Sequence, residues 1–377
     1  MHYVIIGAGV AGVSAVREIV KKRKSEDEIT IITDESYPFY YRPRLIECLS
    51  GEVSVNDIII HDENWFEEND VELKLSETVQ EIDPVKKIII TDKGQYSYNK
   101  LLIANGAHCF MPPIKGNDKK NVFTLRDVDD VREIYGTAED SGKAVVVGGG
   151  LLGLECAYNL MKSGLQVTVV EIMARLLPRQ LDEEGATVLR SLLEDKGLKF
   201  YLDDSVEEFT GDEYLDGVKL ASGESEEADL VLVSAGIRPN IGLVESLDGF
   251  DIDKGIKVNQ RMETGLDGVY AAGDIAQFRD RIYGIWMPSQ QQGKVAGLNM
   301  VGAKEEYEPG VTSHKLKVVG INVLSKGELD FESEYRIEVE ADSEKYRKIV
   351  YDGEGNIIGA IVVGDFTEGN DLISTIK

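Results

Sequence analysis

The pattern of hydrophobic positions along the chain shows one unit twice. Residues 3–33 and residues 144–171 each begin with a short β-branched run, pass through a glycine-rich turn into a segment of helical periodicity, and end in a second β-branched run. Their sequences are YVIIGAGVAGVSAVREIVKKRKSEDEITIIT and AVVVGGGLLGLECAYNLMKSGLQVTVVE. Continuous Val and Ile runs are typical of parallel strands buried on both faces. We therefore predict two βαβ units.

The segments that follow each unit have a different pattern. Residues 85–103 and 198–235 alternate and turn like small antiparallel insertions. From about residue 310 the strand-like stretches KLKVVGINVL, RKIVYD and IIGAIVVGD predict a small α+β domain. The acidic runs Glu224–Glu227 and Glu338–Glu344 are interpreted as solvated loops. The predicted fold class is α/β, with two Rossmann-like, three-layer domains built on parallel sheets and a small α+β C-terminal domain.

Charge and cysteine content exclude several classes of protein. The chain of 377 residues has 68 acidic and 41 basic side chains, a formal charge of -27, which opposes binding to nucleic acid or to anionic lipid. The first residues enter an apolar strand without the features of a secretory leader, and no apolar stretch reaches the about 18 residues needed to span a bilayer. Cys48, Cys109 and Cys156 form no CxxC pair. We expect a cytoplasmic protein without structural disulfides or a metal site.

Both repeated units contain the glycine pattern GxGxxG between a strand and a helix. The first glycine permits a tight turn, the second lets the backbone approach a pyrophosphate, and the third lets the helix pack closely on the strand. The helix N-terminus adds N–H donors and a positive dipole end. Two copies in matching contexts predict two dinucleotide sites. The candidate contacts are Gly7, Gly9, Ala11 and Gly12 in the first copy and Gly148, Gly150, Leu152 and Gly153 in the second.

A carboxylate after the second strand of each unit is the candidate partner of the ribose hydroxyls. In the second copy this residue is Glu171, which favours NADH because a carboxylate repels a 2′-phosphate. Arg175 lies close downstream and could accommodate that phosphate, which weakens the inference. In the first copy the candidates are Asp34 and Glu35, and the alternative is that both are exposed turn residues.

Two further segments of small residues end in turns, Leu101–Ala107 and Gly268–Asp274. Small side chains let a backbone approach an elongated ligand. With the two glycine turns, these segments resemble the FAD-dependent pyridine nucleotide oxidoreductases over about residues 1–310. The resemblance implies FAD in the first copy and NADH in the second. The resemblance also implies further contacts with FAD, namely Ala104, Asn105, Gly106, Gly273 and Asp274. Asp274 is expected to contact the ribityl hydroxyls. The implied domains are an FAD-binding domain of residues 1–109 and 237–309, an NAD-binding domain of 110–236, and a C-terminal domain of 310–377.

The resemblance also narrows the branch of the family. The redox cysteine pair of the dithiol branch is missing, and Cys48 stands five residues out of register with the cysteine of the single-cysteine branch, where this chain has Pro43. Residues 37–45, YPFYYRPRL, resemble rubredoxin reductases and the FAD part of assimilatory nitrite reductases, which implies that Arg42 contacts the pyrophosphate of FAD. Glu47 stands where many relatives have a lysine near the flavin.

Two residues are candidates for the reaction itself. Residues 285–293, IWMPSQQQG, resemble the family's tryptophan-containing segment at the flavin, which ends in a helix start. Trp286 is therefore a candidate flavin contact, and the alternative is a core aromatic. The resemblance places Glu155 near the nicotinamide, and the alternative is an exposed acid in the first turn of its helix, where the helix dipole favours it.

The implied reaction is transfer of a hydride from NADH to FAD, followed by single-electron transfer to a small redox carrier protein. Rubredoxin is the expected carrier, and the alternatives are a reductase component for ferredoxin or nitrite reduction and a flavin-bound NADH redox sensor. Because 377 residues leave no room for a sirohaem or iron–sulfur module, we expect the flavoprotein alone.

Overall fold

A computed structural model gives the structure of the protein. It describes residues 1–310, 313–318, 320–331, 334–364, 369, 371–372 and 375–376. The chain divides into two compact units. The first unit contains residues 1–45, 54–110 and 236–309, and the second contains residues 46–53, 111–235 and 310–377.

The helices and strands follow the chain in this order. Residues 1–110 contain β1 (His2–Ile6), α1 (Val10–Lys22), β2 (Glu28–Ile32), α2 (Leu45–Cys48), α3 (Glu63–Glu68), β3 (Glu72–Lys74), β4 (Val79–Asp83), β5 (Ile88–Thr91), β6 (Gln95–Ser97), β7 (Lys100–Ile103) and β8 (Ala107–Cys109). Residues 111–235 contain β9 (Val122–Phe123), α4 (Val128–Ala138), β10 (Lys143–Val147), α5 (Leu151–Lys162), β11 (Gln166–Glu171), α6 (Glu183–Glu194), β12 (Lys199–Leu202), β13 (Val206–Thr210), β14 (Gly217–Leu220), β15 (Ser225–Glu227) and β16 (Leu230–Val233).

The remainder contains β17 (Ile237–Pro239), β18 (Ile256–Val258), β19 (Val269–Ala271), β20 (Ala276–Phe278), α7 (Trp286–Met300), β21 (Ser313–Val318), β22 (Ile321–Gly327), β23 (Arg336–Ala341), β24 (Tyr346–Tyr351) and β25 (Ile357–Gly364). Short 3-10 helices cover Arg42–Arg44, Val55–Ile58 and Ile241–Leu243. Within the described residues, no helix is both long and apolar enough to cross a membrane.

The first unit is built on a parallel sheet of strand order β19-β7-β1-β2-β3. Buried Val and Ile residues on both faces of this sheet belong to two separate hydrophobic clusters. The carboxyl ends of parallel strands meet at one sheet edge, where ligands bind in this class of fold. The first glycine turn follows β1 at that edge, and the two turns rich in small residues follow β7 and β19. Of the alternating segment 85–103, β5 and β6 pair with β4 in an antiparallel sheet, whereas β7 joins the parallel sheet.

The second unit repeats the arrangement with a parallel sheet of order β12-β11-β10-β16-β9 and an antiparallel sheet β13-β14-β15. It also contains the five-stranded antiparallel C-terminal sheet β21-β22-β25-β24-β23, which packs on α6. The predicted α/β class with a small C-terminal domain is confirmed. The sequence set no bounds on the helical part of that domain, so this part stays a prediction.

The prediction that both acidic runs are loops was wrong. Most of the first run belongs to β15 and much of the second to β23, and each of these strands lies at the edge of its sheet. Every residue of β23 is exposed. An edge strand pairs its backbone on one side while its charged side chains stay solvated, and such charges protect the free edge from pairing with other chains. The charge pattern therefore predicted solvation correctly and backbone conformation incorrectly.

Two glycines of α7 let this helix lie directly on α1. A Cβ atom on Gly293 would lie 2.1 Å from the carbonyl oxygen of Ala11, and one on Gly297 would lie 2.4 Å from that of Ala15. Real Cβ atoms do not approach a backbone oxygen so closely, so any side chain at these positions would push the helices apart. Because Ala11 lies in the first turn of α1, directly after the glycine turn, this packing also holds the N-terminal end of α1 in place.

We predict that Gly293→Ala destabilises the protein by at least about 2 kcal/mol, because the added methyl group meets backbone that cannot move away freely. Gly136→Ala is the matched control, because Gly136 also lies inside a helix but has nothing within 4 Å of its Cβ position. This control should gain about 0.5–1 kcal/mol from helix propensity. Urea unfolding measures both, and equal effects of the two substitutions would contradict the close packing.

Candidate active site

The three glycines of the first turn differ in their surroundings. Gly7 has a φ of +103°, and its Cβ would lie 2.3 Å from the carbonyl oxygen of Ala104, while a Cβ on Gly12 would lie 2.0 Å from that of Gly7. A Cβ on Gly9 would have nothing within 4 Å. Gly9 is the N-cap residue of α1 and has no capping side chain. The middle glycine therefore leaves open space at the helix N-terminus, which is the geometry that a pyrophosphate requires.

A cleft beside this turn contains several of the predicted residues. Gly9, Glu35, Arg42 and Trp286 line it, whereas Asp34 is exposed and does not. Of the two candidate ribose partners, Glu35 is therefore the one at the cleft. Its other lining residues were not predicted, and they are Ala8, Val10, Thr33, Tyr37, Pro38, Phe39 and Tyr40.

Glu35 is held by two donors from the segment that follows it. Arg42 Nη2 lies 2.5 Å from Glu35 Oε1, and the hydroxyl group of Tyr40 donates to Glu35 Oε2. The Arg42 guanidinium also lies over the Tyr40 ring, 5.0 Å from its centroid. A charge-assisted bond of this kind fixes the orientation of both side chains. The cleft therefore presents a cation and a carboxylate whose positions are set by each other.

Trp286 forms an aromatic wall of the same cleft. Its ring stacks on Phe39 with centroids 5.8 Å apart and meets the edge of Tyr41 at 4.7 Å. Trp286 is half-buried and also packs against the core of the first unit, as the core-aromatic alternative expects, while its contact with the flavin stays a prediction. The helix begins at Trp286 itself, whereas the sequence predicted that it starts at the end of this segment.

The turn after β7 contains an unsatisfied buried acceptor. Asn105 Nδ2 donates to the carbonyl oxygen of Asn240 at 2.9 Å, while Asn105 Oδ1 is buried and has no hydrogen-bond partner among the described residues. Buried acceptors are nearly always paired in proteins, so this oxygen is suited to receive a donor from a ligand. Gly106, next in the turn, has a φ of +68°, which favours glycine. Ala104 contacts Gly7 as described above.

The turn after β19 is bonded to α7 rather than open. Gly273 has a φ of +84°, and its N–H donates to Gln292 Oε1 at 2.9 Å. The hydroxyl group of Ser289 donates to Asp274 Oδ1 at 3.3 Å. Ala11 is buried beneath α7 and packs against this turn. A Cβ on Gly273 would lie 3.0 Å from the Cβ of Ala11. Gln292 and Ser289 were not predicted as site residues from the sequence.

The second glycine turn reproduces the first. Gly148 has a φ of +118° and its Cβ would lie 2.4 Å from the carbonyl oxygen of Ser234, while a Cβ on Gly153 would lie 2.0 Å from that of Gly148. A Cβ on Gly150 would have nothing within 4 Å, and Leu152 is exposed in the first turn of α5. Ser234 follows β16 as Ala104 follows β7. The sequence carried this signal, since VLVSAG after the second copy matches LLIANG after the first.

Glu171 and Arg175 are both engaged with nearby backbone. The buried Glu171 carboxylate accepts from the N–H of Gly149 at 2.5 Å and from that of Met173 at 2.8 Å. Arg175 Nε donates to the carbonyl oxygen of Leu181 and its Nη2 to that of Pro178, both at 3.2 Å. The carboxylate therefore lies against the glycine turn, while the guanidinium group is bonded within its own loop.

Glu155 lies past the first turn of α5 and is half-buried, so its interpretation as an exposed first-turn acid was wrong. Burial, and then the neighbouring charge of Glu47, raise the pKa of the Glu155 carboxyl to about 7. A carboxyl with this pKa changes its charge near neutral pH, as groups that act in catalysis often do. Glu47 stands where the resemblance implied a lysine, so the charge that acts on Glu155 is negative and not positive.

None of the three cysteines is bonded to another in a disulfide, and Cys48 and Cys156 are buried in helices. The described part of the chain contains no group of three His, Cys, Asp or Glu side chains that could hold a metal ion.

The chain has two parallel sheets, and in each of them one strand, β1 or β10, leads into a glycine turn whose middle position is open. This arrangement defines a class of proteins that bind two dinucleotides. Residues 1–293 match the family model described as pyridine nucleotide-disulphide oxidoreductase, and residues 313–377 match the rubredoxin NAD+ reductase C-terminal domain. The chain belongs to the pyridine nucleotide-disulphide oxidoreductase family. The predicted class, an FAD-dependent NAD(P)H oxidoreductase, is thereby confirmed, as are FAD and NADH as the cofactors of this family and of its NADH–rubredoxin relatives.

Three comparisons describe the similarity. The chain is 40% identical over 380 residues to nitrite reductase [NAD(P)H] of Bacillus subtilis strain 168, covering 99% of this chain and 47% of that protein. It is 33% identical over 373 residues to NADH-rubredoxin oxidoreductase of Clostridium acetobutylicum, covering 99% and 93%. The crystal structure of NADH:rubredoxin oxidoreductase from Clostridium acetobutylicum has a TM-score of 0.83 at 32% identity, covering 100% of this chain and 94% of that one. Against the first two curated relatives the chain spans about half their length.

The open middle glycines give a paired prediction. Gly9→Val should abolish retention of FAD, whereas Gly150→Val should keep FAD and raise the KM for NADH about tenfold or more, since each side chain would enter the space reserved for one pyrophosphate. Because neither Cβ position touches protein, both variants should, once stripped of FAD, unfold at the same temperature as cofactor-free wild type. Flavin absorbance and steady-state kinetics measure the two effects. Loss of FAD in Gly150→Val together with a raised KM for NADH in Gly9→Val would show that each nucleotide occupies the other turn.

Proposed function

We propose that this protein oxidises NADH through bound FAD and passes the electrons singly to a small carrier protein, of which rubredoxin is the first candidate. The observation that carries the proposal is the pair of glycine turns, in which packing closes the outer glycines and leaves the middle one open. The similarity to NADH-rubredoxin oxidoreductase over 93% of the length of that relative supports the choice of acceptor. The cytoplasmic location remains a prediction.

In this proposal the first unit binds FAD. The pyrophosphate lies against Gly9 at the N-terminal end of α1, where Arg42 supplies a cation, and Glu35 accepts from ribose hydroxyls. Asp274 accepts from the ribityl chain, and the unpaired Asn105 Oδ1 receives a further donor from the cofactor. When bound, FAD would supply the redox chemistry, because a flavin can take up two electrons together and release them one at a time.

In the second unit we propose that the NADH pyrophosphate lies against Gly150 and that a ribose hydroxyl donates to Glu171. Both oxygens of this carboxylate already accept a backbone N–H, so its position is fixed before the nucleotide arrives. A fixed negative charge repels a 2′-phosphate, and Arg175, bonded within its own loop, does not cancel that repulsion. These contacts support NADH over NADPH.

Glu155 is proposed to act on the nicotinamide ring through its charge. The ring becomes positive as hydride leaves, so an ionised carboxylate nearby stabilises the developing charge and a protonated one does not. Because the pKa of Glu155 is raised to about 7, the ionised form increases between pH 6 and pH 8.

We therefore predict that the rate of flavin reduction by NADH rises with pH through about 7, with several-fold change across the range, and that Glu155→Gln removes this dependence. Anaerobic stopped-flow measurements at saturating NADH give the profile. A profile that is unchanged in the variant would show that another group titrates.

Variants at position 47 give the control for this profile. Glu47→Gln removes the charge that helps to raise the pKa of Glu155, so the midpoint should move to lower pH. Glu52→Gln changes an acid of the same segment that is paired with Lys162, and it should leave the midpoint in place. Equal shifts in both variants would indicate a general charge effect instead.

A second candidate is the flavoprotein component of nitrite reduction. The 40% identity to nitrite reductase [NAD(P)H], of which this chain matches 47%, favours it. Both candidates share the NADH and FAD steps and differ in the acceptor alone.

The deciding experiment reduces the FAD-loaded protein with NADH under anaerobic conditions and mixes it with oxidised rubredoxin, ferredoxin or a sirohaem nitrite reductase module. We expect rapid reoxidation by rubredoxin at micromolar concentration. Faster reoxidation by the sirohaem module would select the second candidate. Slow flavin reduction, with no acceptor increasing turnover, would contradict both and favour a redox sensor.

A further inference from the structure

The segment that follows Glu171, residues 172–181, is named here the nucleotide loop, since it borders the proposed ribose site. Its first two side chains are exposed and apolar, with Ile172 68% and Met173 47% exposed. The Met173 N–H donates to Glu171, so the loop and the carboxylate share one conformation. Contacts that fix the conformation of this loop therefore also affect the position of Glu171 relative to a bound nucleotide.

Arg175, in the middle of the nucleotide loop, makes the first of two contacts with the C-terminal domain. The guanidinium group of Arg175, which closes the loop through its bonds to Pro178 and Leu181, lies 5.8 Å from the centroid of the Phe331 ring. Phe331 precedes β23 and is 47% exposed. A cation over an aromatic face is attracted to it and is partly shielded from water.

The second contact lies where the loop ends. Asp182 caps α6 by accepting from the N–H of Gly185 at 3.0 Å. Its other oxygen accepts from the hydroxyl group of Tyr346 at 2.6 Å and lies 3.3 Å from Lys348 Nζ. The buried Lys348 also donates to the carbonyl oxygen of Asp330 at 3.0 Å, next to Phe331. One network therefore joins both contacts.

Packing prevents this second contact from shifting. A Cβ on Gly185 would lie 2.9 Å from the Tyr346 ring, so the ring rests directly on the first turn of α6. Burial, followed by the hydrogen bond to Asp182, raises the pKa of Tyr346, and its hydroxyl group therefore stays a donor over the physiological pH range. Loss of the network would free the loop at its end and at its centre.

We propose that the C-terminal sheet is a clamp on the nucleotide loop, with Phe331 and Tyr346 as positioning residues that set the affinity for NADH. The inference rests on the proposed function for the identity of the nucleotide. A loop ordered before binding loses less conformational freedom on binding, which appears as tighter association and not as a faster chemical step. The clamp therefore acts on KM and Kd, while kcat stays unchanged.

The test compares Phe331→Ala and Tyr346→Phe with matched controls in the same C-terminal domain. Tyr335→Ala removes another exposed aromatic side chain, and Tyr351→Phe removes a hydroxyl group that donates to Glu338, away from α6. Calorimetric titration of the FAD-loaded protein gives the Kd for NAD+, and turnover with ferricyanide gives KM and kcat for NADH. Both clamp variants should raise Kd and KM about three- to fivefold at constant kcat, as expected for loss of one such contact. The controls should match wild type, and Phe331→Tyr should restore the affinity.

Several outcomes would overturn the clamp. Unchanged Kd and KM in both clamp variants would do so, as would equal weakening by the controls. Arg175→Ala should raise the KM for NADH and for NADPH by the same factor, and a loss confined to NADPH would make Arg175 a phosphate ligand instead. Failure of the proposed function is distinguishable, because a wild type that binds NADH without passing on electrons refutes that function while its Kd values still test the clamp.

Discussion

The structure depends on two close contacts, each between a helix and the turn that precedes it. A Cβ on Gly12 or on Gly153 would lie 2.0 Å from the carbonyl oxygen of the first glycine of its turn. Any side chain there would lift the helix from its strand and move the helix N-terminus. Because this packing fixes the helix, the space at Gly9 and at Gly150 stays open. Room for a pyrophosphate is thus a consequence of how the outer glycines pack.

Much of this architecture could be predicted from sequence because its signals are local. The two βαβ units follow from residues close together in the chain, whereas the ion pair of Arg42 with Glu35 was not predicted. The choice of Glu35 over Asp34 required the path of the chain after β2. The acidic run in β23 was misinterpreted because edge strands and loops carry the same solvated charges. Gln292 was missed because its bond to Gly273 depends on where α7 lies.

The three acids proposed to face nucleotides have distinct surroundings. Glu35 is held by a cation and a phenol, and Glu171 by two backbone N–H groups. Glu155 is instead half-buried near another acid, Glu47, from a segment more than a hundred residues earlier in the chain. That segment is packed beside α5, where the Ser163 hydroxyl group donates to the carbonyl oxygen of Leu49 at 2.9 Å. No local pattern in the sequence reveals such a pair, because the two residues meet only in the folded chain.

The most direct test of the central claim is a crystal structure of the protein with FAD and NAD+ bound. One nucleotide is expected in each unit, with the FAD pyrophosphate in hydrogen-bond range of the backbone at Gly9 and the NAD+ pyrophosphate at Gly150. Electron density that places both nucleotides at one turn, or either pyrophosphate away from its helix N-terminus, would contradict this claim.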